Sequence, residues 1–476
     1  MKRILALLLC LGLVLSLMTA CKPDNITYPT EITDPDKTTQ EDTPVSTTPT
    51  EKPEETPEKE EPPSTEEPAP TVDHPFTAKG FKFSTGVETN LPTGGFIKDT
   101  APAEALKEQT ITLYTAREEA AFNYVNRKDA TVSEWDWMKA LAEEYGFTLK
   151  LSVKSADLSL KSQRVALMAG KDLSVLQLRK EDLAQGLTLA RSAGDQLDRS
   201  IATFGISDAV LKQSNDTFFA PVGYAETLWY NPALMPAETD PATLAKEGKW
   251  TIDTFKAVYE HAAANSADPL QMGNLPWVTL AGKNPLTLKE GKLDHNFYAK
   301  DTRDAFEKLR TVFTALPAVA YDANTTYNLK FGNTAMAYTA LPERAEKVTV
   351  QYAPLPTLEE GTTGTATFAG TFMALPKYAN EENDTAALAF IELWCNRFTE
   401  AHAAALFALG MKAEDYVNYI SFTEQNGLLI LYSPEIEALT ETYLSGLWNS
   451  EIDMEKEYNE IKTDLSNLIT RYNVYY

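Results

Sequence analysis

Two pairs of polar residues occupy positions from which they could bind a ligand. Thr115 and Arg117 follow the first predicted strand, and Gln177 and Arg179 end a later one. Open α/β sheets bind ligands beyond the carboxyl ends of their strands, and hydroxyl, amide and guanidinium groups all form hydrogen bonds. The two pairs therefore predict non-covalent binding of a polar molecule.

The sequence carries no recognisable motif for catalysis, metal binding or a cofactor. Walker A, dinucleotide-binding, nucleophile-elbow and zinc-protease patterns are all missing. The four histidines, His74, His261, His295 and His402, are too widely separated to predict a metal cluster. A net charge of −25 argues against a nucleic-acid binder, which needs a basic surface. We therefore expect no enzyme activity, no metal, no cofactor and no nucleic-acid partner.

The elements that would position the polar pairs alternate between strand and helix. Residues 110–115 and 147–153 alternate apolar and polar side chains, as half-buried strands do, and 173–178 is mostly apolar, as a buried strand is. A helix is expected to start after the capping residue Ser133 and to end at Gly146. This order predicts a parallel α/β sheet with helices on its faces.

The remainder of the folded part has the same mixed character. Residues 76–476, about 400 in all, are too many for one core, so two lobes are expected. Helices are predicted near 158–169, 253–264, 303–315, 332–340, 384–409, 413–420, 434–447 and 453–472, and extended chain at 217–232 and 364–376.

The first 21 residues have the pattern of a bacterial lipoprotein signal. Two basic residues precede an apolar run over 4–18, which is too short and too cleavable to span a membrane. The segment LMTAC at 17–21 resembles a lipobox, which implies removal of residues 1–20 and diacylation of Cys21. Ordinary secretion with an incidental cysteine is the alternative. Only Cys395 would then remain, so no internal disulfide is expected.

The segment 21–75 has the composition of a disordered tether. Over 22–75 there are twelve prolines, 15 acidic residues and four lysines, with hardly any large apolar side chain. Such a segment cannot bury enough apolar surface to offset the entropy of ordering it. Two acyl chains anchor a protein stably without a spanning helix. We therefore expect the folded part to be held on the extracytoplasmic face of the cell membrane.

Seven short segments downstream of residue 105 follow one another in a specific order. They are LMAGKDLSVLQL at 167–178, FAPVGYAETLWYN at 219–231, WTIDTF at 250–255, FGNTAMAY at 331–338, YAPLP at 352–356, TAALAFI at 385–391 and LWNSEIDM at 447–454. In this order they resemble the family 1 extracellular solute-binding proteins of ABC importers, the maltose-binding-protein-like group. The lipobox and the tether agree with a membrane-anchored member.

The resemblance implies an α/β, two-lobed periplasmic-binding-protein-like fold of type II. A ligand cleft would separate the lobes, and crossing strands near 222–226 and 370–374 would act as hinges when the lobes close on a solute. The implied lobes are 76–222 with about 375–435, and 227–369 with about 440–476. A monomer that docks on the subunits of an ABC permease is also implied.

The resemblance further implies where a solute would be held. Cleft residues are expected at the hinge and in lobe loops, and Tyr338 takes the place of a tryptophan that relatives often carry shortly after their alanine–methionine helix. The candidates for ligand binding are Thr115, Arg117, Trp137, Gln177, Arg179, Tyr224, Glu226, Trp277, Tyr338 and Phe368. Four other aromatic residues are expected in the core: Trp229, Tyr230, Trp250 and Trp394.

The function predicted from these features is capture of a neutral solute and its delivery to an ABC importer. An oligosaccharide is favoured, because sugars present an apolar face and a ring of hydroxyls that aromatic and polar side chains match. Two alternatives stay open. One is a lipid-anchored carbohydrate-active enzyme with two carboxylates across the cleft. The other is a sensory or adhesive surface protein that reuses the binding fold.

Overall fold

The computed structural model of the chain describes most of the sequence downstream of residue 103. The predicted signal peptide, Cys21, the tether and most of the helix predicted at 158–169 lie outside the described residues, so these stay predictions. The described residues lie within one compact unit, Glu67–Tyr476. They are 104–115, 117, 124–125, 132–153, 167–168, 172–194, 205–236, 238–281, 284–289, 292–317, 334–342 and 349–475.

Strands and helices alternate along the described chain, as the sequence predicts. The strands are β1 Thr110–Thr115, β2 Tyr124–Val125, β3 Val132–Ser133, β4 Thr148–Val153, β5 Val175–Arg179, β6 Ala190–Arg191, β7 Ala225–Tyr230, β8 Leu286–Lys289, β9 Lys292–His295, β10 Met336–Thr339, β11 Gln351–Ala353, β12 Ala366–Phe368, β13 Thr371–Pro376 and β14 Gly427–Leu428. The helices are α1 Glu134–Tyr145, α2 Leu183–Gly186, α3 Asp208–Gln213, α4 Pro241–Lys246, α5 Ile252–Asn265, α6 Lys300–Phe313, α7 Asp384–Ala408, α8 Ala413–Asn426, α9 Pro434–Ser445 and α10 Met454–Tyr475.

The first sheet, the centre of what we call lobe 1, has the strand order β4–β1–β5–β13–β6. Strands β4, β1 and β5 are parallel, as predicted, whereas β13 pairs antiparallel with both β5 and β6, so the sheet is mixed. Helix α1 begins after Ser133 and ends before Gly146, whose φ of +70° suits a glycine at a helix end. Its apolar stripe packs on the buried residues Ile111 and Leu113 of β1, and this contact fixes the helix against the sheet.

The second sheet, the centre of lobe 2, has the order β10–β7–β12–β14, and β11 pairs with β7 as well. The helix predicted at 332–340 is wrong at 336–339, where the chain forms β10 and pairs antiparallel with β7. Consecutive residues Met336 and Ala337 are both buried, one in the main core and one against α8. Burial of both faces of the strand outweighs the helix preference of its alanine and methionine.

Two short segments carry the chain between the sheets, and a longer connection through α7 and α8 leads from β13 of the first sheet to β14 of the second. Phe219 pairs with Met373 of the first sheet, whereas Ala225 pairs with Phe368 of the second, so the outgoing crossing lies between 219 and 225. The return crossing lies between β12 and β13 and contains Gly370. These crossings overlap or adjoin the predicted hinge segments, and the hinge motion and the exact lobe boundaries stay predictions.

The large aromatic residues that were predicted to lie in the core do so, and one candidate binding residue lies in the core as well. Trp229, Tyr230, Trp250 and Trp394 are each at most 2% exposed, which confirms their prediction as core residues. Trp277, a candidate binding residue, also packs inside lobe 2, as described below.

Within the described residues, no helix combines the length and the apolar character that crossing a membrane requires.

Candidate ligand-binding cleft

An ion pair joins the two lobes beside the hinge. Lys180 lies in the single turn of 3₁₀ helix after β5 of lobe 1, and Glu226 lies on β7 of lobe 2. The Lys180 ammonium donates to Oε1 of Glu226, and both side chains are mostly buried, at 25% and 13% exposed. The backbone N–H of Lys180 also donates to the carbonyl of Gly370 at 3.1 Å. This turn is therefore fixed against the return crossing and against β7 together.

Glu226 is also the acceptor of a short hydroxyl chain. Its Oε2 accepts from Oγ1 of Thr367 at 3.2 Å, and the hydroxyl of Tyr338 donates to Thr367 at 3.0 Å. Burial and the Glu226 carboxylate raise the pKa of Tyr338 well above its ordinary value, so the phenol keeps its proton. The ring of Tyr432 faces the Lys180 ammonium, 5.4 Å from nitrogen to ring centroid. Two sequence candidates, Glu226 and Tyr338, are thus in one network.

A second cluster surrounds a buried carboxylate in lobe 1. Arg117 lies 3.3 Å from Oε2 of Glu134, and the Gln177 amide donates to Oε1 at 2.9 Å. Burial raises the pKa of Glu134, while Arg117, Trp394 and Gln177 oppose that rise. Glu134 is the first residue of α1, where the helix dipole also favours a negative charge.

Glu134 is the residue that sequence reasoning missed. An acidic residue in the first turn of a helix is common and is usually exposed, so Glu134 gave no sign of burial. The available signal was indirect. Arg117 follows the first predicted strand and Gln177 ends a later one, and two such groups require an acceptor if they become buried.

Tyr224 lies between the two clusters. Its ring meets His402 edge-on at 4.9 Å and Phe398 at 5.5 Å, measured between ring centroids. Burial, followed by the charges of Glu134 and Glu226, raises the pKa of Tyr224 to about 12. The charges of both carboxylates therefore act on the Tyr224 phenol, which lies between the lobe 1 cluster and the hinge network.

Three further candidates are buried beside these groups. Thr115 is 1% exposed, and its hydroxyl accepts the backbone N–H of Arg117 at 3.2 Å, which fixes the turn after β1. Trp137 is 1% exposed and packs against Phe398 at 5.7 Å. Phe368 is 1% exposed and pairs with Ala225 at the start of β7. In this conformation these residues shape and support the hinge region.

The last two candidates lie apart from the clusters. Arg179 is exposed, and its guanidinium is 3.4 Å from the Asp182 carboxylate. Trp277 is 1% exposed inside lobe 2, with its ring centroid 4.8 Å from Phe313 and 6.0 Å from Trp448. An enclosed ring offers no surface to a solute in this conformation. Direct solute contact stays a prediction for all ten candidates.

The chemistry available in this region is hydrogen bonding and stacking. The charged groups Arg117 and Glu134, and Lys180 and Glu226, are paired with each other. Among the described residues, no group of three His, Cys, Asp or Glu side chains is placed to hold a metal ion. The arrangement can therefore orient a polar, uncharged molecule through hydroxyl, amide and aromatic groups.

Comparison with known proteins gives matches in structure alone. No protein family model matches the chain, and no curated protein matches it in sequence. The sugar-binding protein MalE from Xanthomonas citri is similar in structure, with 13% identity, coverage of 76% of this chain and 98% of that chain, and a TM-score of 0.51. A family 1 extracellular solute-binding protein from Bifidobacterium longum subsp. infantis has 14% identity, coverage of 76% and 100%, and a TM-score of 0.49.

At such low identity the likeness to the Xanthomonas protein shows the fold. The likeness spans nearly the whole of that protein and three quarters of this chain. The chain therefore has the two-lobed α/β fold of the periplasmic binding proteins, with two short segments that cross between its sheets.

Proposed function

We propose that this protein is a lipid-anchored, extracytoplasmic binding protein that captures a neutral oligosaccharide and delivers it to an ABC importer. The solute binds between the lobes, and the hinge at Tyr224 and Gly370 closes them around it. Glu226, Tyr338, Gln177 and Arg117 are proposed to line or support that site. The protein carries out no chemistry on the solute.

The proposal rests on the ion pairs beside the hinge. Arg117 is paired with Glu134, and Lys180 with Glu226, so each charge already has an opposite partner. A charged solute would compete with a buried pair and leave one member uncompensated, which is costly. A polyhydroxylated neutral solute adds hydrogen bonds without breaking either pair. The hydroxyl of Tyr338 and the amide of Gln177 are groups of the type that such a solute requires.

The remaining parts of the proposal rest on other features. The printed description of the Xanthomonas protein calls it sugar-binding, which supports a sugar as the solute here. The lipobox LMTAC at 17–21 and the proline-rich, acidic segment at 22–75 support anchoring at Cys21 on a tether. Delivery to a permease follows from the fold and the anchor together.

A thermal-shift screen of the full chain tests solute capture. The probes are maltotetraose, cellotetraose, chitotetraose, a neutral tripeptide, spermidine and phosphate. A ligand at one hundred times its dissociation constant stabilises the folded state by about 2.7 kcal/mol, which raises the unfolding midpoint. We expect one sugar series to raise it and the charged probes to leave it unchanged. A response to spermidine or phosphate alone would overturn the neutral assignment, and hydrolysis of a sugar would favour the enzyme alternative.

A pair of tyrosine variants tests whether the sugar-dependent rise of the unfolding midpoint depends on the hinge network. Tyr338→Phe removes the hydroxyl that donates to Thr367 and should weaken the sugar-dependent shift. Tyr458→Phe removes a half-buried hydroxyl on α10 of lobe 2 and serves as the matched control. Equal shifts in both variants would exclude Tyr338 from solute binding.

Two cysteine variants test the anchor. Cys21→Ser should abolish incorporation of labelled palmitate and release the protein from the membrane fraction, whereas Cys10→Ser should change neither. Uptake of the labelled sugar by cells should fall in Cys21→Ser if delivery depends on the anchor. Retention of Cys21→Ser in the membrane fraction with undiminished palmitate label would contradict lipidation at Cys21.

A further inference from the structure

A cavity of about 670 Å³ lies on the opposite face of β7 from the Glu226 network. Side chains along a strand point alternately to its two faces, so Glu226 and Trp229 face opposite sides. The cavity is bounded by α4, β11, the turn between α7 and α8, and α8 itself. Its volume is within the range of small-molecule sites, roughly 300–1,000 Å³. Because it lies on the other face of β7, this cavity is separate from the Glu226 network.

One wall of this cavity is aromatic. Trp229, Tyr352 and Phe422 line it. The Trp229 indole is fixed because its Nε1 donates to the carbonyl of Thr339 at 3.0 Å. The Tyr352 ring lies 5.8 Å from Trp229 and meets Tyr419 edge-on at 5.0 Å, measured between centroids. The wall is therefore held rigidly before any ligand arrives.

The facing side of the cavity is polar and carries one net negative charge. Asp415 and Asn418 are exposed on α8, three residues apart, and so project from the same side of the helix. The Asn418 amide has no hydrogen-bond partner in the part of the chain that the structure describes. Lys246 also lines the cavity, so its charged residues are the two carboxylates Asp240 and Asp415 and one ammonium. Asp240 is already engaged, since it accepts from the Tyr230 hydroxyl at 2.6 Å and from Thr243.

The Tyr352 hydroxyl completes the set of hydrogen-bonding groups. Burial and the nearby Asp415 carboxylate raise the pKa of Tyr352, so its phenol remains a donor at neutral pH. A fixed aromatic face beside donors and acceptors matches the apolar face and the hydroxyl ring of a sugar. The net negative charge of the lining disfavours an anion.

We propose that this cavity is a second binding site, for a neutral saccharide, that fills independently of the cleft between the lobes. Its ligand stacks on Tyr352 and receives or donates hydrogen bonds at Asn418 and Asp415. The saccharide can be a free oligosaccharide or part of a longer surface polysaccharide, since both present the same rings.

Methyl NMR of the full chain with labelled methionine tests this proposal. Met411 lines the cavity, and Met373 pairs with Phe219 and Gln177 beside the cleft, so the two methyl groups report on the two sites separately. The probes are maltotetraose, cellotetraose and chitotetraose, with pullulan, hydroxyethyl cellulose and glycol chitin as the matching soluble polymers, and tetramethylammonium as a cationic control.

Two tryptophan variants make the assignment specific. Asn418→Trp fills the cavity from an exposed helix position, and Asn459→Trp makes the same exchange at an exposed position on α10. We expect a saturable shift of Met411 in the wild type and in Asn459→Trp that is lost in Asn418→Trp, while the Met373 response is the same in all three. A shift with oligomers identifies a free sugar, and a shift with polymers alone identifies a polysaccharide.

Three results would overturn the second site. Met411 could move only in step with Met373, with the same midpoint and with Asn418→Trp unaffected, which would mean that it senses lobe closure. It could respond to tetramethylammonium alone, which would make the cavity a cation site. It could fail to respond to every saccharide. A Met411 response without any Met373 response would leave this inference standing while the proposed function of the cleft fails.

Discussion

Gly370 and Tyr224 occupy adjoining space at the hinge: a Cβ atom placed on Gly370 would lie 2.3 Å from Cε1 of Tyr224. The two residues belong to different crossings, and Ala369 donates its N–H to the Tyr224 carbonyl at 3.2 Å. Gly370 also has a φ of +82°, a conformation that residues with a side chain rarely adopt. The outgoing and return crossings are therefore packed as one unit, and a movement of one must be accommodated by the other.

We expect Gly370→Ala to destabilise the protein by about 2–4 kcal/mol, because it combines a left-handed backbone with a steric collision. Urea denaturation measures the loss. Gly361→Ala is the matched control, since Gly361 has a φ of +77° and no atom of the described residues lies within 4 Å of the position that a Cβ would take there. That control should cost about 1 kcal/mol, the backbone part alone. Equal losses in the two variants would contradict close packing of Tyr224 on Gly370.

The ion pair of Lys180 and Glu226 should contribute measurable coupling between the lobes. In a double-mutant cycle of Lys180→Met and Glu226→Gln, we expect a coupling of about 1 kcal/mol at low salt, because both side chains are mostly buried. The coupling should decrease as salt rises.

The pair of Lys249 and Glu247 provides the control for this cycle. Both side chains are half exposed or more, so their pairing should give no measurable coupling. The measurement is chemical denaturation of the four proteins in each cycle at two salt concentrations. A Lys180–Glu226 coupling no larger than that of the exposed pair would show that the contact does not hold the lobes.

Much of the fold could be predicted from local patterns. The alternation at 147–153 and the apolar stripe of α1 were sufficient to place β4 and the first helix, because each element buries one face. The strand β10 was not predictable in this way. Its Ala-Met-Ala sequence favours helix, and only the pairing of Met336 with Tyr230, more than 100 positions away, makes it a strand.

The site was less predictable than the fold for a similar reason. The sequence located Arg117 and Gln177 at strand ends, but it could not show that both converge on Glu134. Trp277 illustrates the opposite case. A glycine and a proline near it are typical of a loop, whereas Phe313 and Trp448 come from distant segments to enclose its ring. Long-range packing decides burial, and local sequence carries little of that information.

Replacing Glu134 should lower the free energy of unfolding, because two buried donors share its carboxylate as acceptor. Glu134→Ala removes the acceptor that the buried Arg117 guanidinium and Gln177 amide share, and we expect a loss of about 3–5 kcal/mol. Glu134→Gln keeps a hydrogen-bonding oxygen and should cost less. The double variant Arg117→Met with Glu134→Leu removes both charges and should be more stable than Glu134→Ala.

Urea denaturation at neutral pH measures the stability of these variants. Glu143→Ala, at an exposed position on the same helix, is the control and should have little effect. If Glu134→Ala were as stable as Glu143→Ala, the carboxylate would not be holding Arg117 and Gln177 in place.

His402 should make the stability of the protein depend on mildly acidic pH. Burial lowers the pKa of His402 from 6.5 to about 4, although its ring nitrogen lies 3.2 Å from the Ala340 carbonyl. The unfolded chain therefore takes up a proton as pH falls below 6.5, while the folded protein does so only near pH 4. Stability is lost across that window, by about 3 kcal/mol at most, and the loss stops below the folded pKa.

The comparison of two histidine variants isolates this contribution, because the carboxylates that titrate in the same window are common to all the proteins. His402→Gln removes the titrating ring, so its free energy of unfolding should fall less steeply between pH 6.5 and about 4 than that of the wild type. His261→Gln, at an exposed position on α5, should keep the wild-type slope. The measurement is urea denaturation at half-unit intervals of pH. Equal slopes in His402→Gln and the wild type would mean that the buried ring accepts a proton as readily as it does in the unfolded chain.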